Sequence, residues 1–101
     1  MPIQHCVMIS FRRPLTPDER TAMLNDAREM EESITQILQL KCGFDIGLNG
    51  TQSETFCLNA MFENVESYNT YQTHPIHKRF ISNHIQPLMS DRKAVQFETT
   101  A

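Results

Sequence analysis

Residues 3 to 11 alternate between two kinds of side chain. One set is apolar apart from a single histidine and consists of Ile3, His5, Val7, Ile9 and Phe11. The other set is uncharged and consists of Gln4, Cys6, Met8 and Ser10. A period of two is that of a β-strand with one buried face. The same pattern recurs at residues 56–62, so the chain must build a sheet that buries one side.

A long helix is predicted after the first strand. Thr16-Pro17-Asp18-Glu19 supplies an N-cap, a first-turn proline and a glutamate at the capping-box position. An apolar stripe then keeps helical spacing through Arg20, Met23, Leu24, Ala27, Met30, Ile34, Ile37 and Leu38. The helix is therefore predicted to continue to Leu38. Its other side is predicted to be a solvated acidic face formed by Asp26, Glu29, Glu31 and Glu32.

The middle of the chain is predicted to form two further strands. The first, residues 42–48, is the weaker, and Gly43 and Gly47 could mark a bulge or a bend in it. Asn49-Gly50 is expected to begin a turn. The second is the alternating segment 56–62, in which Phe56, Leu58, Ala60 and Phe62 share one face.

The next elements are a broken helix and a last strand. Asn64 is a plausible cap for a helix that ends near Thr73, because Pro75 disfavours the helical region at the preceding residue and suits the first turn of a new helix. Ser90-Asp91 is expected to turn the chain. Residues 94–99 are predicted to form the closing strand.

The predicted order is β-α-β-β-α-β within a single domain of residues 1–101, which is an α+β, ferredoxin-like arrangement with a four-stranded antiparallel sheet. Both helices would cover one face of that sheet. The other face is uncharged in the two best strands, so we expect a second copy of the chain to cover it. This predicts a homodimer, a dimeric α+β barrel, through the face that includes Cys6, Met8, Cys57, Asn59 and Met61.

Composition excludes several classes of function. A net charge of -3 and a pI near 5.7 do not favour nucleic-acid binding. The sequence contains no run of about twenty apolar residues, so no membrane partner is predicted. The first residues do not resemble a signal peptide, so a cytoplasmic location is expected. The three cysteines are odd in number and widely spaced, which favours free thiols. No cofactor fingerprint is present, and no cofactor is predicted.

Three of the four histidines and both tyrosines lie between Tyr68 and Ile85. In a helix that begins at Pro75, His77 would share an apolar stripe with Phe80 and Ile81, and so point at the core. The helix N-terminus would keep its imidazole neutral. His74 is expected to cap the helix junction. A metal site built from the histidines is not predicted, since no carboxylate lies nearby in the sequence.

The residues that resemble a known family span nearly the whole chain. They are His5 in a strand ending at Phe11, Gly43-Phe44-Asp45, the strand leading to Phe62, and Tyr71-Gln72-Thr73-His74-Pro75-Ile76-His77 followed by Phe80. Together they resemble the stress-responsive dimeric A/B barrel (Dabb) domain. The family includes olivetolic acid cyclase, and the resemblance implies Tyr71 and His77 as an acid/base pair with His5 in support. A further pocket histidine of that enzyme falls at Phe56 here.

Two functions stay open at this point, and so does the question of whether the chain is an enzyme. The first is a small dimeric barrel that binds a small apolar or aromatic ligand. The alternative is a cofactor-independent cyclase or isomerase that acts on a polyketide-like carbonyl compound by His/Tyr acid-base chemistry. Either needs a cleft between helices and sheet, and its expected ligand-binding residues are Val7, Ile9, Phe56, Leu58, His74, Phe80 and Ile81.

Overall fold

The computed structural model of the protein describes residues 1–50 and 53–100. Its four strands are β1 (Ile3–Phe11), β2 (Ile37–Phe44), β3 (Phe56–Phe62) and β4 (Met89–Glu98). Its helices are α1 (Pro17–Ser33), α2 (Val65–Thr73) and α3 (Pro75–Phe80), and α3 continues into a π-helical segment, Ile81–Ile85. The order is the predicted one, with the second helical unit divided at His74.

The four strands form one antiparallel sheet in the order β2-β3-β1-β4. At the centre, Val7 of β1 lies opposite Leu58 of β3 and Ala94 of β4. The side chains at alternating positions of these strands therefore share a face. This arrangement confirms the predicted ferredoxin-like α+β fold.

The core lies between the sheet and the helices. The alternating apolar residues of β1 and β3 are buried, as the two-residue period predicts, and so are Met23, Ala27 and Met30 on the inner side of α1. His5 is the buried polar residue among them, with 2% of its surface exposed. The core thus includes one imidazole.

The start of α1 is the predicted capping box. The Glu19 N–H donates to Thr16 Oγ1 at 3.1 Å, and the Thr16 N–H donates to Glu19 Oε1 at 2.8 Å.

Some acidic residues on the outer side of this helix also bind other elements of the fold. Glu29 pairs with Arg79 at 3.1 Å, and Glu31 Oε2 accepts the Leu40 N–H at 2.9 Å. These contacts tie α1 to α3 and to β2.

The predicted end of α1 and the predicted bounds of the second strand are wrong. The helix ends at Ser33, Ile34 has extended angles of φ -96° and ψ 101°, and β2 begins at Ile37. Leu38 is 57% exposed and lies at a bulge between Ile37 and Gln39, where the register with β3 shifts. The apolar spacing fits a longer helix, but pairing with β3 gives the backbone of residues 37–44 its hydrogen bonds instead.

The turn that follows β2 lies earlier than expected, since it begins at Gly47 and Asn49-Gly50 ends it. The Gly50 N–H donates to the Gly47 carbonyl at 3.1 Å, and both glycines have positive φ, 81° at Gly47 and 102° at Gly50. Only glycine adopts such angles without strain, so these residues fit a tight reversal. The expected bulge at Gly43 or Gly47 is not where the register shifts, since the shift lies near the start of β2.

The start of β4 also differs from the expectation. Ser90 and Asp91 belong to the strand, which begins at Met89, and the turn comes earlier, where the Leu88 N–H donates to the Ile85 carbonyl at 3.2 Å. The polar first half of β4 carries no clear apolar alternation. Pairing with β1 through Asp91 and Ser10 decides its conformation.

The face of the sheet away from the helices stays uncovered in one chain. Met8, Val95 and Phe97 lie on it with 49%, 55% and 50% of their surfaces exposed. Lys41 and Lys93 are also on this face, opposite Asn59 and Met8. Its half-buried members are Cys6, Cys57, Asn59 and Met61.

Across the described ranges, no helix has the length and apolar character needed to cross a membrane.

Candidate ligand-binding cavity

The junction between α2 and α3 is built by His74 and Pro75. His74 has extended angles of φ -66° and ψ 136°, as expected for a residue that precedes proline. Its Nδ1 accepts the Ile76 N–H at 3.1 Å, so its side chain caps α3, and its own N–H donates to the Tyr71 carbonyl at 3.1 Å. The predicted capping role of His74 is the one that the structure shows.

A cavity of about 270 Å³ lies between this broken helix and the inner face of the sheet. Its lining brings together all of the predicted site residues except His74. The lining residues are His5, Val7, Ile9, Phe56, Leu58, Tyr71, Gln72, His77, Phe80, Ile81 and Arg92. The apolar members come from β1, β3 and the helical layer, and the polar groups gather around Tyr71.

His77 is held in one tautomer by the backbone. Its Nδ1 lies 3.3 Å from the Gln72 carbonyl oxygen, which can only accept, so Nδ1 carries the proton and Nε2 keeps its lone pair. Burial lowers the pKa of His77, the charge of Arg92 lowers it further, and the bond to Gln72 opposes both effects. His77 is therefore neutral at pH 7, with a ring nitrogen that can accept a proton.

His5 takes the opposite tautomer. The Gln96 side-chain amide donates to His5 Nδ1 at 2.9 Å, so the proton of the neutral ring is on Nε2. Burial, together with the charges of Arg92 and His77, lowers the pKa of His5 to about 4. At neutral pH this imidazole can donate from Nε2.

Tyr71 contacts both imidazoles through its ring. Its ring centroid is 4.2 Å from that of His77 and 6.1 Å from that of His5. Burial raises the pKa of Tyr71, as does neighbouring Tyr68, so the phenol keeps its proton at neutral pH. Between residues 1 and 50 and between 53 and 100, no hydrogen bond uses the Tyr71 hydroxyl. This group is therefore available as a donor.

Sequence reasoning missed three residues that complete the site. Gln72 supplies the carbonyl for His77, Gln96 orients His5, and Arg92 lines the cavity. The last two lie on β4 opposite His5 and Ile9. Gln96 lies within the strand predicted at residues 94–99, but its pairing with His5 does not follow from the sequence, and Arg92 lies before the predicted start of that strand.

A wider and more open groove of about 520 Å³ lies between Met8 of β1 and the end of β2. It contains no histidine or tyrosine among its described lining residues, and part of its wall is the uncovered face of the sheet. Nor do three or more His, Cys, Asp or Glu residues converge in a metal-binding group anywhere in residues 1–50 and 53–100. The smaller cavity is therefore the better candidate for a functional site.

Comparison with known proteins agrees with this architecture. The family model described as the stress responsive A/B barrel domain matches residues 3–99. The chain belongs to this family. The match covers all four strands of the A/B barrel domain, and with them every residue that lines the cavity.

Solved structures share the fold of this A/B barrel domain. A dimeric ferredoxin-like protein of unknown function from Thermobifida fusca is 27% identical, with a TM-score of 0.84 over 98% of this chain and 92% of that one. A Dabb family protein from Mesorhizobium loti is 18% identical, with a TM-score of 0.77 over 99% and 98%. The hydroxynitrile lyase of Passiflora edulis is 13% identical, with a TM-score of 0.80 over 99% and 95%. No curated protein matches the sequence.

Proposed function

We propose that this A/B barrel domain binds a small apolar or aromatic ligand in the cavity between the helical layer and the sheet. The observation that carries the proposal is the contrast within the wall: apolar side chains make up most of it, and Tyr71, His5 and His77 form one polar cluster. Binding sites for small molecules have this composition, with few polar groups that fix the orientation of the ligand.

Acetophenone is a suitable probe, because it joins an aromatic ring to one carbonyl acceptor. We expect saturation transfer from the protein to acetophenone, and shifts of the His77 and Phe80 resonances. Ile81→Phe would narrow the cavity from its half-exposed rim and abolish both effects, whereas Val65→Phe, on an exposed position of α2, would leave them unchanged. Thermal melts would show that both variants fold. Saturation transfer to acetophenone that persists in Ile81→Phe would refute the proposal that the ligand binds in this cavity.

We propose homodimerisation through the sheet as the second part of this function. The exposed apolar side chains of Met8, Val95 and Phe97 support it, since a monomer rarely leaves such a contiguous surface to water. Closed two-fold pairing is the commonest way to cover it. Membership in the A/B barrel family and the dimeric Thermobifida fusca relative support the same proposal.

The dimer is tested by sedimentation velocity of two matched variants. Val95 on the sheet face and Val65 on α2 are similarly exposed, 55% and 58%. We expect the wild-type chain and Val65→Glu to sediment as dimers and Val95→Glu to sediment as a monomer, because the new carboxylate would be desolvated between the sheets. A folded wild-type monomer at micromolar concentration would contradict the proposal.

The tautomer of His77 favours a second candidate, catalysis of proton transfer next to a carbonyl group. His77 Nε2 would remove a proton from the carbon beside the carbonyl. The electron pair of the broken C–H bond would form a C=C bond while the π pair of the carbonyl moves onto its oxygen, where the Tyr71 hydroxyl would stabilise the enolate. Such a step can begin a cyclisation or an isomerisation of a polyketide-like compound.

Exchange of the methyl protons of acetophenone for deuterium measures this step without knowledge of the natural substrate. We expect the wild-type chain to accelerate exchange in neutral D2O, and His77→Gln and Tyr71→Phe to lose most of the acceleration. His84→Gln is the control, since His84 lies outside the cavity lining and its Nε2 is 2.6 Å from Asp26. Exchange no faster than in buffer would leave the binding proposal and remove the catalytic one.

A further inference from the structure

Arg92 gives the cavity a charge that its other walls do not balance. Among the described lining residues it is the single Lys or Arg, and no Asp or Glu accompanies it. Neither does any described carboxylate elsewhere in the chain form an ion pair with it. Both lining imidazoles are neutral at pH 7, so the cavity carries one net positive charge.

The register of β4 fixes the position of Arg92. It lies opposite Ile9 of β1, on the face that turns toward the helices, two and four residues from Ala94 and Gln96 on the same side. After burial, its charge is a cause of the lowered pKa of His5 and of His77. Arg92 is exposed to solvent as well as part of the cavity lining, so its guanidinium lies at the mouth of the cavity.

The polar groups of the cavity are mostly donors. Arg92 offers guanidinium N–H groups, His5 offers Nε2–H and Tyr71 offers its hydroxyl, whereas His77 Nε2 and the side-chain oxygen of Gln72 are acceptors. A neutral ketone presents one acceptor oxygen and no charge. A carboxylate presents two oxygens that match the guanidinium fork, and it brings the opposite charge to the Arg92 cation.

We infer that the ligand of this cavity is a small organic acid, whose carboxylate binds Arg92 and whose apolar body packs against Val7, Leu58 and Phe80. This inference rests on the proposed ligand binding and narrows its chemical class. The volume of about 270 Å³ lies just below the roughly 300–1,000 Å³ of pockets for drug-sized ligands. One aromatic ring or a short chain is therefore the size of body that fits.

The test compares each acid with its neutral amide of the same shape. Phenylacetate and phenylacetamide, and hexanoate and hexanamide, are titrated into the dimer at pH 7 by calorimetry. We expect each acid to bind the wild-type chain at least about tenfold more tightly than its amide, the size of effect of one charge-assisted hydrogen bond. Arg92→Gln should remove the preference, and Arg92→Lys should keep part of it.

Lys78→Gln is the matched control. Lys78 is an exposed cation next to His77 in the sequence and lies outside the cavity lining, so its removal changes the net charge equally and should leave the acid preference intact. If acid and amide bind equally to the wild-type chain, or if Arg92→Gln keeps the preference, the inference is wrong and the cavity proposal stands. If neither acid nor amide of either pair binds, and acetophenone does not bind, both proposals are wrong.

Discussion

His5 should make the stability of the folded chain depend on pH. Burial lowers its pKa from 6.5 to about 4, with contributions from Arg92 and His77, while in the unfolded chain the ring titrates near its ordinary value. As the pH falls through 6.5, the His5 imidazole becomes protonated in the unfolded chain but stays neutral in the folded chain. The free energy of unfolding must therefore decrease on acidification, and the loss is complete only below pH 4.

The size of the effect follows from the two pKa values. At about 1.4 kcal/mol for each pH unit, the lowering from 6.5 to about 4 corresponds to roughly 3 kcal/mol in all, of which about 2 kcal/mol is lost between pH 7 and pH 5. His5→Gln should abolish this part, because an amide does not titrate and its oxygen can still accept from Gln96. The pKa of His77 is lowered too, but that group is present in both proteins and cancels in the difference.

Urea denaturation at pH 7 and pH 5, at one fixed protein concentration, measures the effect. The wild-type chain should lose about 2 kcal/mol more than His5→Gln over this interval. NMR titration of the His5 ring provides an independent reading and should give a midpoint near pH 4. Equal losses in the two proteins, or a His5 midpoint near 6.5, would refute the claim that this imidazole is neutral because it is buried.

Three further predictions concern contacts made by the helices and their caps. Thr16→Ala removes the N-cap of α1 and should cost about 1 kcal/mol, which lowers Tm by about 4–8 °C in a thermal melt, and an unchanged Tm would contradict it. Asp26→Asn weakens the 2.6 Å contact with His84, a partly exposed pair, so urea denaturation should show a loss of only about 0.5 kcal/mol. His74→Ala leaves the Ile76 N–H without its acceptor and should lower Tm more than His74→Asn, which retains one; equal Tm values would argue against the cap.

Local signals predicted much of the fold. The alternation of β1 and β3, the capping box at Thr16 and the break at Pro75 each depend on residues close in sequence, and the structure shows each of them. The starts of β2 and β4 do not depend on such local signals. Both are edge strands whose sequence lacks a decisive period, and their conformation comes from hydrogen bonds to the neighbouring strand. Such pairing is a property of the folded sheet.

The same distinction explains which parts of the site could be predicted. His77 follows from its position on a helix stripe and His5 from its place among alternating apolar residues, whereas Tyr71 is implied by the resemblance of residues 71–77 to the A/B barrel family. Arg92 lines the cavity because β4 pairs with β1 from Met89 onward, and the same pairing places Gln96 beside His5. An error of a few residues at the start of this edge strand therefore excluded Arg92, whereas the contact of Gln96 with His5 depends on a strand pairing that the local sequence does not specify.

The division of the second helical unit sets the tautomer of His77, although His74 itself lies outside the cavity. In an unbroken α-helix the Gln72 carbonyl would accept the N–H of the residue four positions later, which is Ile76. Here the Ile76 N–H donates to His74 Nδ1 instead, so the Gln72 carbonyl is one of the unpaired groups of a helix end. His77 Nδ1–H uses it, and this contact leaves Nε2 free to accept a proton. Proline and the first histidine thus break the helix, and the break sets the tautomer of the second histidine.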